Sequence, residues 1–220
     1  MLHIEDAIQF IEVNKKILNL KIHPRFKQII EKLNYSIAIH NPNPTDIELS
    51  EIDGKMKKIT KKQTEENTIL LTQVLEDGIW QLETKFNNSN SADAGIGIVQ
   101  DSYKIPADTN PTINPHIQNM AVFVGNGWTT SMICYKGIGT FEISGFGDNQ
   151  ILKLEFDSKK ATLFLFVDNI QQELYICGIK EKLRFIIYMY YTGSQCTIQS
   201  LKKLSAPTSS HVDNEKSVEW

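Results

Sequence analysis

The sequence predicts a mostly β fold, an antiparallel β-sandwich with a short helical segment at its N-terminus. From about residue 46 onward, short apolar runs alternate with gaps rich in Gly, Asn, Asp, Pro and Ser, and no long helical pattern intervenes. Several runs are apolar on both faces of the predicted strand, as expected where two sheets pack on one another. The eight clearest runs span 68–75, 79–86, 95–100, 119–124, 151–156, 161–167, 183–191 and 196–204.

The first 45 residues differ from the rest, because their apolar residues follow helical spacing. Between positions 4 and 20, acidic residues come first and lysines later, which suits the dipole of one helix. Pro24 restarts the chain, and residues 26–33 predict a second, shorter amphipathic helix. The stretch HNPNPTD at 40–46 predicts a linker, since a residue that precedes proline is biased away from the helix.

These patterns divide the chain into three parts. We expect a helical segment with its linker at 1–45 and a sandwich domain at 46–204. Residues 205–220 lose the β pattern and are rich in Ser, Asn and charged residues. A segment of that composition has too little apolar surface to pack, so a flexible C-terminal tail is expected.

Composition and charge narrow the class of function. The formal net charge of −3 gives no general attraction to nucleic acid or to an anionic membrane. The three widely spaced cysteines, Cys134, Cys177 and Cys196, suggest neither a disulfide framework nor a zinc site. Neither a basic leader nor an apolar run of about 18 residues is found in the sequence. We therefore expect a soluble cytoplasmic protein that needs no metal or cofactor.

Two acidic residues in the stretch ILKLEFD raise the question of catalysis. Glu155 and Asp157 are two positions apart, so on a strand they project from the same face. Glucanases of the concanavalin-like sandwich class place carboxylates along one strand as E-x-D-x-x-E, because glycoside cleavage needs two of them. The third position here is Lys160. Solvated residues that end a strand and open a turn are the favoured interpretation, and a hydrolase is the weakest alternative.

Two further motifs have ordinary structural explanations. The G-x-G pairs in GIGIVQ (95–100) and GFGDNQ (145–150) lack the third glycine and the following helix of a dinucleotide site, so turns and tight strand ends are expected. The lysine-rich stretch KMKKITKK at 55–62 has no interleaved aromatics and is followed by two glutamates. A solvated strand or loop is favoured there over a phosphate-binding patch.

Short motifs occur in a fixed order between residues 78 and 204. GIWQLETKF supplies a glycine, a tryptophan and an acidic residue at Gly78, Trp80 and Glu83, and GIGIVQ follows it. Next comes GDNQILKLEFDSKKATLFLFVDNIQQ, which begins at Gly147 and Asp148 and describes two strands joined by a turn. LRFIIYMYYTGSQCTIQSL closes the series with a further pair of strands.

In order and spacing these segments resemble the SPRY domain, a bent, concanavalin-like β-sandwich used for protein recognition. The resemblance covers roughly residues 50–204. Asp168 and Asn169 stand in place of the family's Asn-Gly turn, and Ile170 occupies the position of the turn glycine. The proline-rich segment 101–118 also departs from the usual loop, which affects the expected partner more than the expected fold.

The resemblance implies a non-enzymatic adaptor that binds a protein or peptide through loops at one edge of the sandwich. Exposed Tyr and Trp are common anchors of such interfaces. The expected partner-binding residues are Tyr103, Trp128, Tyr135, Tyr191 and Gln195. An intracellular carbohydrate-binding module of the same sandwich class is the alternative, because sugar rings also stack on exposed aromatics.

Overall fold

A computed structural model describes residues 34–90, 93–128, 132–141 and 145–220. The two predicted N-terminal helices lie outside these residues. The described chain forms two β-sheets and a short 3-10 helix at His116–Asn119. In chain order the strands are β1 (Ile39–His40), β2 (Ile47–Ile52), β3 (Met56–Lys61), β4 (Asn67–Leu71), β5 (Ile79–Asn87), β6 (Ala94–Gln100), β7 (Met120–Val124), β8 (Met132–Tyr135), β9 (Ile138–Phe141), β10 (Ile151–Asp157), β11 (Thr162–Val167), β12 (Ile170–Gln171), β13 (Leu174–Cys177), β14 (Leu183–Met189), β15 (Gln195–Leu204) and β16 (Lys216–Glu219).

The two sheets have seven and nine strands. The seven-stranded sheet runs β1-β4-β14-β6-β7-β8-β9, and the nine-stranded sheet runs β16-β13-β11-β10-β5-β15-β3-β2, with β12 paired to β11. All of these pairings are antiparallel except that of β13 with β16, which is parallel. The predicted mostly antiparallel β-sandwich is confirmed.

The main core lies between the two sheets and follows the two-residue period of the strands. In β10, Leu152, Leu154 and Phe156 belong to this core, while Lys153 and Glu155 project from the opposite face. The neighbouring strand β5 alternates in the same way. Each such fully buried Leu or Phe contributes about 1.5–3 kcal/mol relative to an exposed one.

A second apolar layer covers the outer face of the seven-stranded sheet. Its buried residues are Leu70, Val99, Ile105, Met120, Val122, Val124 and Ile186, and Ile105 comes from the proline-rich segment that follows β6. Gly97 lies inside β6 opposite Val122, where a β-carbon would come within 2.0 Å of the Ala121 carbonyl oxygen. Turns and tight strand ends were expected for the GIGIVQ glycines. Gly95 lies at the start of β6, but Gly97 lies inside the strand, where it permits close packing within the sheet.

The turn between β11 and β12 forms without the glycine that was expected at the position of Ile170. Val167 pairs with Ile170, so Asp168 and Asn169 form a two-residue loop. Their φ angles are 51° and 67°, the left-handed values that a type I′ hairpin turn requires. Asp and Asn tolerate these values better than other non-glycine residues, so Ile170 is free to serve as the first residue of β12.

Residues 34–45, which the sequence assigns to the helical segment and its linker, are part of the sandwich. The Tyr35 amide donates to the Leu201 carbonyl at 2.8 Å, Ile37 is buried in the main core, and β1 pairs with β4. The two prolines occupy a turn in which the Asn43 amide donates to Asn41 Oδ1 at 3.0 Å. The prolines thus end β1 without separating it from the domain.

Residues 205–220 also differ from expectation, because they lie along the sandwich and are not a loose tail. The carboxylate of Glu155, which is 1% exposed, accepts hydrogen bonds from the Thr208 amide at 3.0 Å and the Ser209 amide at 2.9 Å. The Thr208 hydroxyl also donates to Glu155. Further on, β16 pairs with β13. Hydrogen bonds made by the backbone hold this largely polar segment, and Val218 of β16 is buried in the main core.

One lysine of the 55–62 run is buried, whereas a solvated run was expected. Lys61 donates to the Asp46 carboxylate and, at 2.8 Å, to the Glu65 carbonyl, and both charged side chains are fully buried. Asp46 also accepts from Asn67 Nδ2 at 2.7 Å and from the Gln63 amide at 3.2 Å. Burial lowers the pKa of Lys61, and the hydrogen bond from Lys61 to Asp46 opposes this shift.

Replacing Asp46 with alanine is expected to destabilise the fold strongly, because the Lys61 ammonium would be left buried without a counter-charge. The expected loss is about 3–5 kcal/mol in the free energy of unfolding, measured by urea denaturation. Glu51→Ala is the matched control, since it breaks the solvent-exposed pair of Glu51 with Lys57 and should cost less than about 1 kcal/mol. Equal losses in the two variants would contradict the assigned role of the buried pair.

Replacing Glu155 with glutamine is expected to loosen residues 205–220. The glutamine side chain has an NH2 group in place of one carboxylate oxygen, and this NH2 group cannot accept the hydrogen bonds that the Thr208 and Ser209 amides donate. Hydrogen exchange followed by mass spectrometry should show protection in this segment falling roughly ten- to hundred-fold, as for the loss of hydrogen bonds to a charged group. Glu83→Gln is the control, since Glu83 is paired with Lys153 on the adjacent strand. Unchanged exchange in the Glu155 variant would show that other contacts hold the segment.

Candidate functional site

Loops from both sheets meet at one end of the sandwich. Met189, the last residue of β14, pairs with the first residues of both β4 and β6, and β7 ends opposite Gly95. In the other sheet, β15 begins at Gln195 opposite the end of β5. The segments 62–66, 125–128 and 190–194 therefore converge here, and we call this side the loop end.

The loop end contains an open pocket of about 240 Å³, which we call the end pocket. Its lining residues are Glu66, Asp93, Asn110, Gly127, Trp128, Tyr188 and Tyr190. The Trp128 ring meets the Tyr188 ring edge to face, with 5.7 Å between their centroids. Tyr190 meets Tyr191 in the same way at 4.9 Å. These edge contacts orient the aromatic rings that form the wall of the pocket.

Hydrogen bonds hold one carboxylate of the pocket in position. The Tyr188 hydroxyl donates to Glu66, and Asn110 Nδ2 donates to the other oxygen of that carboxylate at 3.2 Å. Burial, together with the hydrogen bond to Glu66, raises the pKa of Tyr188. The tyrosine therefore stays protonated as a donor at physiological pH, and Glu66 is fixed as an acceptor and a negative charge.

The second carboxylate of the pocket is less constrained. Burial raises the pKa of Asp93, and the nearby charge of Glu66 raises it further. Over the described ranges, neither Asp93 nor Glu66 forms an ion pair. Lys61 interacts with Glu66 at longer range, but its ammonium is bonded to Asp46. The end pocket thus carries negative charge without a contacting cation among these residues.

The structure separates the five expected partner-binding residues into two groups. Trp128, Tyr191 and Gln195 lie at the loop end, and Trp128 lines the end pocket. Tyr103 follows β6 and Tyr135 ends β8 beside the start of β7, so both lie at the opposite end. No single surface patch at the loop end includes all five.

Tyr103 and Tyr135 have partners of their own at that opposite end. The Tyr103 hydroxyl is 2.7 Å from His116 Nδ1, and its ring packs against the outer apolar layer. Tyr135 packs against the main core. These contacts account for both side chains as parts of the fold.

Glu155 and Asp157, the two residues considered as catalytic carboxylates, instead accept hydrogen bonds from backbone amides. Glu155 binds the amides of residues 208 and 209. Asp157 is 5% exposed and accepts from the amides of Lys159 at 2.9 Å and Lys160 at 3.1 Å, which closes the turn into β11. Asp157 therefore opens the turn as expected. The expectation that both carboxylates are solvated is wrong, because the structure buries them against these amides.

Other surfaces offer less chemistry than the end pocket. Two grooves of about 460 and 420 Å³ lie beside residues 34–39, and Glu51 and Lys57, which line both of them, are paired with each other. Over the described ranges, no three His, Cys, Asp or Glu side chains are grouped to hold a metal ion. The same residues include no helix that is long and apolar enough to cross a membrane.

The sequence points to Trp128 but not to most of its neighbours in the end pocket. Glu66 is one of two glutamates after the lysine-rich stretch, and no local pattern marks Asp93 or Asn110. Glu66 and Asp93 precede β4 and β6, which meet only through the strand order β4-β14-β6. Asn110 belongs to the segment after β6, which returns to this end and is held there by the hydrogen bond from the Thr68 hydroxyl to the Thr109 carbonyl. The pair Tyr190 and Tyr191, at the end of an apolar run, is the one local signal available.

Comparison with known proteins gives a match only at the level of structure. No protein family and no curated protein matches the sequence. The SPRY domain of human HERC1 superposes with a TM-score of 0.53 at 12% identity, covering 75% of this chain and 99% of that domain. The TRIM65 PSpry domain gives 0.55 at 10% identity, covering 80% and 95%, and a human SPRY domain gives 0.50 at 12%, covering 77% and 99%.

The chain has the SPRY fold. The Gly147-Asp148 motif has a clear structural task in it, because Asp148 accepts the Ser89 amide at 2.9 Å and so ties the loop after β5 to the start of β10. Trp80 is 3% exposed and donates from Nε1 to the Asp77 carbonyl at 2.9 Å. The resemblance seen in the sequence is thus confirmed as a resemblance of fold.

The three thiols of this SPRY-fold chain are expected to differ in reactivity. Burial raises the pKa of Cys134 to about 11 and also raises that of the fully buried Cys196, so both stay protonated near neutral pH. Burial and the hydrogen bond to Glu219 also raise the pKa of Cys177, but this thiol is partly exposed, whereas the other two are buried. Alkylation at pH 8 should therefore label Cys177 first, and mass spectrometry should find the other two labelled only after denaturation. Labelling of native Cys177→Ser at the remaining thiols would contradict this order.

Proposed function

We propose that this chain is a non-enzymatic protein-interaction module that holds a segment of a partner protein or peptide in the end pocket. The observation that carries the proposal is the convergence of loops from several strands on an open pocket walled by Trp128, Tyr188 and Tyr190. SPRY domains are used for protein recognition, and the fold supports this assignment. Trp and Tyr are also the residues that most often dominate binding energy at interfaces.

The rigidity of the pocket supports binding without large rearrangement. Tyr188 lies within β14, and Asp93 directly precedes β6. Tyr188 and Glu66 are joined by a hydrogen bond, and Trp128 rests on Tyr188. A preformed surface loses less conformational entropy on binding than a mobile one, which leaves more of the contact energy for affinity.

The size of the end pocket supports a side chain of a larger partner as its occupant. Pockets that enclose drug-sized ligands usually measure about 300–1,000 Å³, whereas this one measures about 240 Å³ and is open. An occupant of that size buries little surface by itself. Contacts from the rest of the partner, beyond the pocket, would supply the remaining affinity.

A carbohydrate-binding module is the second candidate function, and the lining of the end pocket is the observation that favours it. Aromatic rings accept the face of a sugar, while carboxylate and amide oxygens such as those of Glu66 and Asn110 accept its hydroxyl groups.

We further propose that the protein is located in the cytoplasm. Its three free thiols support this location, because disulfide bonds are rare there.

Alanine substitutions at the two ends of the sandwich test the proposed surface. Trp128→Ala and Tyr190→Ala should each weaken binding of captured partners about tenfold or more, as interface anchors do, measured by affinity purification with quantitative mass spectrometry. Tyr191→Ala should have a smaller effect, and Tyr103→Ala at the opposite end should have none. Thermal melting of each variant controls for loss of fold.

Two outcomes would overturn this assignment. Loss of capture in Tyr103→Ala with none in Trp128→Ala would move the binding site to the opposite end of the sandwich. Glycan-array binding by a chain that captures no protein would replace protein recognition with carbohydrate recognition.

A further inference from the structure

The end pocket combines features that together select for charge in its occupant. The carboxylates of Glu66 and Asp93 stand beside the aromatic rings of Trp128, Tyr188 and Tyr190. The face of an aromatic ring attracts a cation, and a nearby carboxylate adds direct attraction. A neutral or acidic side chain would gain neither contribution there.

We propose, building on the proposed function, that the end pocket binds a cationic side chain of the partner, namely an arginine. Its guanidinium group pairs with Asp93 and lies against the aromatic wall of the pocket. Glu66 adds a second negative charge, and its hydrogen bonds to Tyr188 and Asn110 keep it in place.

Asp93 is the more available of the two carboxylates. Both oxygens of Glu66 already accept hydrogen bonds, from Tyr188 and from Asn110. The side chain of Asp93, by contrast, accepts none from the residues in the described ranges, although its amide donates to the Ser89 carbonyl at 2.7 Å. An incoming donor therefore meets a carboxylate whose oxygens accept no hydrogen bond from the described residues.

The two carboxylates of the end pocket are complementary to a positively charged ligand, because no cation in the described part of the chain contacts them. Burial raises the pKa of Asp93, and repulsion by the nearby charge of Glu66 raises it further. A cation that enters the pocket relieves this repulsion. Lys61 does not relieve it by contact, because its ammonium is bonded to Asp46 and to the Glu65 carbonyl.

Arginine fits this lining better than lysine for two physical reasons. Its planar guanidinium stacks on aromatic faces and offers paired N–H groups that match a carboxylate. It is also hydrated more weakly than an ammonium group, so less hydration is lost on entering a partly buried site. We therefore expect lysine to be accepted with lower affinity.

Selection from a random peptide display library on the full chain tests the proposal. Selected peptides should share an arginine at one position. Replacing that arginine with citrulline, which is uncharged and similar in shape, should weaken binding to the unmodified protein about tenfold or more, measured by calorimetry. The replacement of the arginine by lysine should weaken it less. Binding of the arginine peptide should also fall as salt is raised.

The Asp93→Asn variant tests whether the preference for arginine arises in the end pocket. The asparagine variant should lose about tenfold in affinity for the arginine peptide and bind the citrulline peptide as the unmodified protein does. Glu76→Gln is the matched control, because it removes an exposed charge that is paired with Lys182 elsewhere on the surface. This control should bind both peptides normally.

The outcomes separate the present inference from the proposed function. Peptides that need Trp128 but lack a shared basic residue, or that bind Asp93→Asn unchanged, would overturn the arginine assignment and leave the interaction module standing. Failure to select any peptide whose binding depends on Trp128 or Tyr190 would overturn both.

Discussion

One face of each sheet is buried against the other, and this packing fixes the register of the strands. Because the side-chain period of a strand is two, a slip of one residue turns its whole apolar set outward. In β10 such a slip would turn Leu152, Leu154 and Phe156 away from the main core and place Lys153 and Glu155 in it, without their present partners. The cost of burying unpaired charge excludes that register. Strand ends, and the loops that leave them, are therefore positioned to within a residue.

The end pocket depends directly on this register. Asp93 is placed by the first residue of β6, Glu66 by the start of β4, and Tyr188 by its position in β14, which lies between those two strands. The pocket residues do not need to stabilise the fold themselves, because the core between the sheets already does. The loop end can therefore hold two neighbouring carboxylates that form no ion pair with the described residues. Such an arrangement lowers the stability of the fold and is typical of binding surfaces.

The fold could be predicted from sequence because its signal is local and repetitive. Short apolar runs and turn residues indicate the strands, and the order of the motifs indicates the SPRY resemblance. Residues 34–45 and 205–220 escaped prediction because backbone hydrogen bonds, to Leu201 and to Glu155, do much of the work of holding them. Their core residues, such as Ile37 and Val218, are too isolated in the sequence to form an apolar pattern. The pocket was only partly predictable for a different reason. Trp128 and Tyr191 stand out by residue type in loop-like segments, whereas Glu66 and Asp93 are ordinary acidic residues until the strand order of the sheet brings them together.

The short strand β16 also determines how the nine-stranded sheet ends. Without it, β13 would be the outermost strand, and its sequence LYIC would present unpaired amides and carbonyls beside apolar side chains. Such an edge is a template for adding a strand from another molecule. β16 replaces it with KSVE, a four-residue edge whose lysine and glutamate are exposed, and short charged edges resist that kind of addition. The polar C-terminal residues, which look dispensable in the sequence, therefore protect the folded domain against aggregation through this edge.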